Sequence, residues 1–152
     1  MDISVFFSEL EAQLKGNGLE TVMLKGEEPQ PGDTLRVLVP IDEAGNSVLT
    51  ELSVIPFTED VHLLQIFTTV ILEIGPGYEA LQEKLADWNL SCPLGAYGIY
   101  APLRQLYHKY NYLMPVGVPA DEMAEEILDV LVLVWDVIGR IWPEARNLVI
   151  SH

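Results

Sequence analysis

The start of the chain carries apolar residues at a spacing of three or four, which is typical of a helix with one buried face. Asp2 or Ser4 can cap the first turn, and Gly16 and Gly18 can end the helix in a left-handed conformation. The pattern therefore predicts a first helix at the start of the chain. Its apolar face would consist of Ile3, Phe6, Phe7, Leu10 and Leu14.

Between positions 19 and 72 the pattern changes to the alternation that is typical of β-strands. Extended segments are predicted at 19–25, 34–41, 48–55 and 61–72, with turn residues between them. The fourth segment is apolar at both alternate sets of positions over most of its length. It is therefore predicted to be a central strand that is covered on both faces.

Helical spacing returns after the segment Gly75-Pro76-Gly77, which is interpreted as a turn because it lacks the spacing and the lysine of a phosphate-binding loop. A second helix is predicted from Tyr78 to about Asn89. Two further strands are predicted at Gly95–Ala101 and Gln105–Met114.

A last helix is predicted from Pro119 to about Trp142, because proline suits a first helical position and Pro143 should end the helix. Its apolar residues fill an arc of about 220°, which is wider than packing on one sheet face requires. Either a subunit partner or the C-terminal tail at 147–150 would have to cover the surplus. That surplus consists of Leu128, Val132 and Trp135.

These elements give the order α-β-β-β-β-α-β-β-α. Strands that are grouped between helices, without strict alternation, favour an α+β fold in which helices flank an antiparallel sheet. The chain has 152 residues, of which 49% are hydrophobic, and this is enough to form one hydrophobic core. A single domain spanning residues 1–152 is therefore predicted.

The charge of the chain limits its partners. Eight lysines and arginines stand against 23 aspartates and glutamates, which gives a formal net charge of -15. This charge repels phosphate backbones and anionic lipids, so neither nucleic acid nor a membrane surface is an expected partner. The first residues lack the basic segment of a secretory signal, and the single cysteine fits a reducing compartment. A cytoplasmic location is predicted.

No group of residues predicts a catalytic or metal site. Cys92 could act as a nucleophile beside a histidine, but a free cysteine in a loop is more often a small buried residue. His62, His108 and His152 lack the spacing of metal ligands, so no metal or cofactor is expected. The acidic segment Glu125-Glu126-Asp129 is predicted to belong to the solvated side of the last helix.

Small and aromatic residues mark the two late strands. Gly95, Ala96 and Gly98 would let either a ligand or a crossing helix approach the backbone, and the helix is favoured. The tyrosines of these strands fit either a core or an interface with another protein. They are Tyr97, Tyr100, Tyr107, Tyr110 and Tyr112.

The chain resembles the YbjN-type domain in its order of elements and in the segments Leu64–Phe67, Leu85–Asn89 and Pro93–Gly98. The resemblance extends from the first helix to Trp142, and its motifs are packing signatures. That family is similar in fold to the type III secretion chaperones, which are small, acidic, cytoplasmic and usually homodimeric bacterial proteins. Its members are described as sensory transduction regulators or protein-binding modules, and the family has no known catalytic residue to transfer.

The sequence therefore predicts a non-enzymatic protein-binding domain, chaperone-like or a regulatory adaptor, that acts as a homodimer and binds a polypeptide client or partner protein. One alternative is a sensory module that binds a small ligand between the sheet and a helix. Another is an enzyme, which Cys92 within hydrogen-bond reach of His62 or His108 in a concave pocket would favour. The predicted interface consists of Leu128, Val132, Trp135, Tyr107, Tyr110 and Tyr112.

Overall fold

A computed structural model describes residues 1–27 and 32–150. It confirms the predicted order of helix, four strands, helix, two strands and helix. Two short 3-10 turns, Gly75–Gly77 and Ala101–Leu103, precede the second helix and the last strand. The elements are α1 (Ile3–Gly16), β1 (Glu20–Leu24), β2 (Thr34–Pro40), β3 (Ser47–Pro56), β4 (Val61–Ile71), α2 (Tyr78–Ser91), β5 (Ala96–Tyr100), β6 (Gln105–Pro115) and α3 (Ala120–Ile150).

Helix α1 begins and ends close to the predicted residues. The side chain of Asp2 accepts a hydrogen bond from the Val5 amide at 3.2 Å and so caps the first turn. After the helix, Gly18 adopts a φ of 80°, a conformation that glycine reaches without strain. The buried face of α1 packs along α3. This face consists of Phe6, Phe7, Leu10 and Leu14.

The strands form one antiparallel sheet in the order β1-β2-β3-β4-β6-β5. Its register places one row of side chains across five strands, and every member of that row is buried. We call the side of the sheet that holds this row the covered face, and the opposite side the open face. The row consists of Val37, Thr50, Thr68, His108 and Tyr97.

The helices pack on the covered face. Helix α1 lies along α3, and α2 contacts both α3 and β5. The wide apolar arc of α3 is therefore covered in part by two other helices of the same chain, which the sequence pattern did not reveal. Fully buried residues of α3 are Met123, Ala124, Ile127, Leu131, Val134, Ile138 and Ala145.

The prediction that β4 is covered on both faces is wrong. Leu64 and Ile66 are fully buried on the covered face, whereas Leu63 and Phe67 on the other side are only partly buried. No helix in residues 1–27 or 32–150 packs on that other side. The apolar residues at both alternate sets of positions therefore mark one core face and one apolar surface.

The predicted end of α3 at Trp142 is also wrong. The helix continues through Pro143, and residues 147–150 extend it without folding back over it. The turn before α2 packs closely against this extension, since a Cβ at Gly77 would lie 2.6 Å from the Leu148 carbonyl oxygen. None of the described helices, α3 included, is long and apolar enough to cross a membrane.

The turn between β2 and β3 anchors the end of α3. Asp42 lies in that turn, and its Oδ2 accepts hydrogen bonds from Trp142 Nε1 at 2.9 Å and Arg146 Nη1 at 3.0 Å. The hydrogen bond from Trp142 and those from Asn46 lower the pKa of Asp42 to about 2. These contacts stabilise the part of the helix where proline removes one backbone donor.

Polar side chains in the covered row are bonded to one another or to the backbone. The hydroxyl oxygens of Thr50 and Thr68 lie 2.8 Å apart, and Trp135 Nε1 donates to Thr50 Oγ1 at 3.0 Å. His108 Nε2 lies 2.7 Å from the Leu94 carbonyl oxygen. Such bonds offset much of the cost of burying polar groups.

Helix α2 closes the β5 edge of the sheet. Asn89 Oδ1 accepts a hydrogen bond from the Tyr97 amide at 2.6 Å, and Asn89 Nδ2 donates to the Tyr97 carbonyl at 3.0 Å. One side-chain amide thus makes the pair of hydrogen bonds that a further antiparallel strand would make with this residue.

Candidate protein-binding surface

The open face carries apolar side chains from all six strands. Alternation along each strand assigns to this face the positions between the buried ones. Within the described ranges, none of the strand residues on this side is fully buried. Its larger apolar members are Val22, Leu24, Leu38, Leu49, Ile55, Val61, Leu63, Phe67, Tyr100, Tyr107 and Leu113.

An aromatic pair occupies the middle of the open face. The rings of Phe67 and Tyr107 are stacked, with centroids 5.0 Å apart and an interplanar angle of 23°. Tyr107 lies over Gly98, where a Cβ would overlap its ring, and Gly95 makes similar room beside the ring of His108. The prediction that these glycines accommodate a crossing helix is therefore wrong, because they accommodate side chains of β6.

A second apolar group lies toward one end of the open face. Ile55, Leu63 and Leu113 are direct neighbours on β3, β4 and β6. Ile55 and Leu113 are exposed, and so is Phe57 immediately beyond β3. Burial of such a surface against another molecule would be favourable by about 25 cal/mol for each Å² of apolar area.

The charges on the open face balance. Its strand residues include two acids, Glu20 and Glu51, and two bases, Arg36 and Lys109. Arg36 Nε lies 3.1 Å from Glu51 Oε2 on the neighbouring strand. The formal charge of this face is therefore zero, in a chain whose net charge is -15.

The structure separates the three predicted interface residues of α3. Leu128 and Trp135 are half-buried and pack against the core, and the Trp135 indole is bonded to Thr50. Val132 is exposed. The predicted strip on this helix therefore has a single exposed member.

The solvent side of α3 is acidic around Val132. Val132 is three, four or seven positions from Asp129, Asp136 and Glu125, which places all of them on one side of the helix. All three carboxylates are exposed. The prediction that the acidic segment of α3 forms a solvated surface is confirmed for its members Glu125, Glu126 and Asp129.

The predicted tyrosine interface is divided between the two faces of the sheet. Tyr107 lies on the open face, whereas Tyr110 and Tyr112 lie on the covered face and are partly buried. The Tyr112 hydroxyl donates to Glu126 Oε1 at 2.6 Å. Burial, together with this hydrogen bond, raises the pKa of Tyr112 to about 12.

The structure brings Cys92 close to one of the predicted histidines. Cys92 Sγ lies 3.9 Å from His108 Nε2. His62 is the second residue of β4 and is not part of this contact. Because a carbonyl oxygen only accepts, the 2.7 Å contact with Leu94 assigns the proton of the neutral ring to Nε2. Burial lowers the pKa of His108, which favours this neutral form. His152 lies outside the described residues.

This geometry gives the thiol no general base. Nε2 already carries a proton, and Nδ1, the basic nitrogen of this tautomer, is buried without a hydrogen-bond partner. Cys92 lines a cavity of about 40 Å³ together with Trp88, Tyr97 and Ile141. A cavity of that size holds little more than one water molecule, so it is too small for a substrate.

Neither metal ligands nor known relatives add a further functional assignment. Within residues 1–27 and 32–150, no group of three histidine, cysteine, aspartate or glutamate side chains could hold a metal ion. No protein-family model matches the chain, and no curated protein matches it. The resemblance to the YbjN-type domain therefore stays a prediction, and a function has to be argued from the surface itself.

Proposed function

We propose that the protein is a non-catalytic protein-binding domain, an adaptor or a chaperone, and that the open face is its binding surface. One observation carries this proposal: a sheet face with many incompletely buried apolar side chains and balanced charges lies on a chain of charge -15. Acidic side chains suffice to keep the rest of the surface hydrated, so a wide apolar face needs another explanation.

The size of the open face supports a protein partner. Six strands of 5 to 11 residues, at about 3.3 Å per residue and about 4.8 Å between strands, cover roughly 800 Å². A stable protein–protein interface buries about 800 Å² on each partner. The face is thus large enough for a complete interface, and its aromatic pair of Phe67 and Tyr107 supplies the kind of residue that dominates binding energy.

The other predicted functions have weaker support. A small ligand in the groove near Gly98 would have to displace the ring of Tyr107. An enzyme built on Cys92 would lack both a base and a substrate cavity. The open face is also a better candidate than α3, because the exposed apolar residues Val132 and Leu133 of α3 lie beside a row of carboxylates that favours basic partners.

A pair of matched variants tests the proposal. Leu113 on the open face and Val132 on α3 are both 55% exposed, so a glutamate at either position should leave the fold intact. Tagged wild-type protein, Leu113→Glu and Val132→Glu would each be used as bait in the same native lysate, and the captured proteins compared. We expect specific partners to be retained by wild type and Val132→Glu and lost with Leu113→Glu.

Two outcomes would contradict the proposal. Equal capture by all three baits would show that the open face takes no part in binding. Loss of capture with Val132→Glu alone would instead place the binding surface on the outer side of α3. Circular dichroism of each bait would establish that the variants remain folded.

A further inference from the structure

We infer that the open face binds a second copy of this chain, so that two sheets stack face to face with the helices of each copy on the outside. This inference rests on the proposed function, because it names the partner of the same surface. The expected assembly has four layers: helices, sheet, sheet and helices.

Electrostatics favours this arrangement of two identical acidic chains. Packed sheets lie about 10 Å apart, and a helix layer is about 10 Å thick, so the outer surfaces of the two helix layers would be at least about 30 Å apart. Charges interact over a Debye length of about 8 Å at physiological ionic strength. The exposed carboxylates of one α3, such as Asp129 and Asp136, would therefore be screened from those of the other.

The open face itself adds no net repulsion. Its two acids and two bases give each copy a contact surface of zero formal charge, in which Arg36 and Glu51 already form an ion pair. Like charges that meet at an interface destabilise it, so a face without net charge suits self-association better than the acidic remainder of the chain. The charge of the face thus does not oppose the binding of a second copy.

Pairing through α3 would have the opposite electrostatics. Two copies that met at Val132 would bring together the flanking Glu125, Asp129 and Asp136 of each chain. Six carboxylates would then share one interface, and in the described part of the chain only Asp136 of each copy has a basic partner, Arg140, so the contact would be repulsive overall. The homodimer that the sequence placed on the last helix is therefore better accommodated on the sheet.

Shape is compatible with the same arrangement. Twisted antiparallel sheets pack face to face at about 30° and interdigitate their side chains. The apolar group of Ile55, Leu63 and Leu113 and the ring of Phe67 project from this face. Two such surfaces would bury about 800 Å² per copy, as a stable dimer requires.

Sedimentation velocity of the purified full-length chain tests this inference. We expect wild type and Val132→Glu to be dimers at micromolar concentration. Leu113→Glu places one charge from each copy in the interface, so we expect it to weaken association at least about tenfold or to abolish it. A dimer that persists unchanged in Leu113→Glu would overturn the inference.

A second variant tests the charge argument independently of the apolar contact. Arg36→Glu with Lys109→Glu changes the formal charge of the face from zero to four negative charges per copy. Both residues are exposed, so the fold should tolerate the change. We expect a monomer at low salt and partial recovery of the dimer at about 1 M salt, where the Debye length is about 3 Å. Full dimerisation of this variant at low salt would contradict the face-to-face arrangement.

Failure of this inference can be distinguished from failure of the proposed function. A wild-type chain that stays monomeric up to about 0.1 mM would exclude self-pairing. If Leu113→Glu still lost captured partners in that case, the open face would bind a different protein and only the identity of its partner would change. If it lost none, both proposals would be wrong.

Discussion

The two faces of the sheet contain similar side chains in different surroundings. On β4, Leu64 points to the covered face and has no exposed surface, while its neighbour Leu63 points to the open face and remains partly exposed. Polar groups differ in the same way: Thr50 on the covered face is bonded to buried Thr68 and half-buried Trp135, whereas Arg36 on the open face pairs with a glutamate near solvent. Composition alone therefore does not make a core, because a covering layer is also needed.

The largest expected difference between the faces comes from adjacent leucines of β4. Leu64→Ala should lower the free energy of unfolding by about 2–5 kcal/mol, because it leaves a cavity under the helices. Leu63→Ala should lower it by less than about 1 kcal/mol in the monomer, since this side chain is already in contact with solvent. Urea unfolding at low protein concentration measures both, and equal losses would mean that the open face is covered after all.

A smaller difference is expected from polar side chains. Thr50→Val removes the acceptor of the Trp135 indole and the partner of the Thr68 hydroxyl, which should cost about 1–2 kcal/mol. Thr69→Val makes the same change on the open face, and we expect a change within about 0.5 kcal/mol. Urea unfolding of the two variants compares them directly. A loss with Thr69→Val that matches the loss with Thr50→Val would contradict the distinction between the two faces.

The smallest expected effect is on the pH dependence of stability. Burial lowers the pKa of His108 below its ordinary value of 6.5, so the unfolded chain binds a proton more readily than the folded one. The free energy of unfolding is therefore unaffected by the titration of His108 above about pH 6.5. Below that pH it decreases, by at most about 1.4 kcal/mol per pH unit. Urea midpoints between about pH 7.5 and 5.5 should show this decrease in wild type.

His108→Gln provides the control for that measurement. Glutamine does not titrate, so the variant should be less stable at every pH but should lose the dependence on pH in this range. A similar decrease in wild type and variant would assign the effect to other groups. Carboxylates contribute little to it, because their ordinary pKa values near 4 lie below the range measured.

Local sequence patterns predicted the elements of the fold but not the layer that covers them. The alternation on β2 and the helical spacing of Phe6, Leu10 and Leu14 lie in the pattern itself, and the structure confirms both. On β4, the sequence shows apolar residues at Leu63 and Phe67, and this pattern is the same whether a helix or solvent covers them. Coverage depends on contacts between distant segments, which periodicity does not encode.

The same limit explains the errors on α3. Pro143 normally ends a helix, but Asp42, about a hundred positions earlier, bonds Trp142 and Arg146 and holds the continuation in place. The apolar arc of α3 was too wide for a sheet alone, because α1 also packs against it. Both features depend on residues that are remote in sequence.

One part of the candidate surface could have been found from the sequence. Tyr107 lies three positions before Tyr110 and five before Tyr112, and because both differences are odd, the period of two places it on the opposite face. The same parity assigns Phe67 and Leu113 to the face of Tyr107 once the strands are paired. The pairing itself required the structure.

The closed edge at Asn89 has a consequence for how large any assembly of this chain can become. With the hydrogen-bonding groups of Tyr97 already satisfied, an incoming strand would have to displace a side-chain amide before it could join the sheet at β5. Head-to-tail growth requires two open ends on every molecule. A sheet that is blocked on one side resists elongation into fibrils, which would otherwise be a hazard for a protein with so much exposed hydrocarbon on its strands.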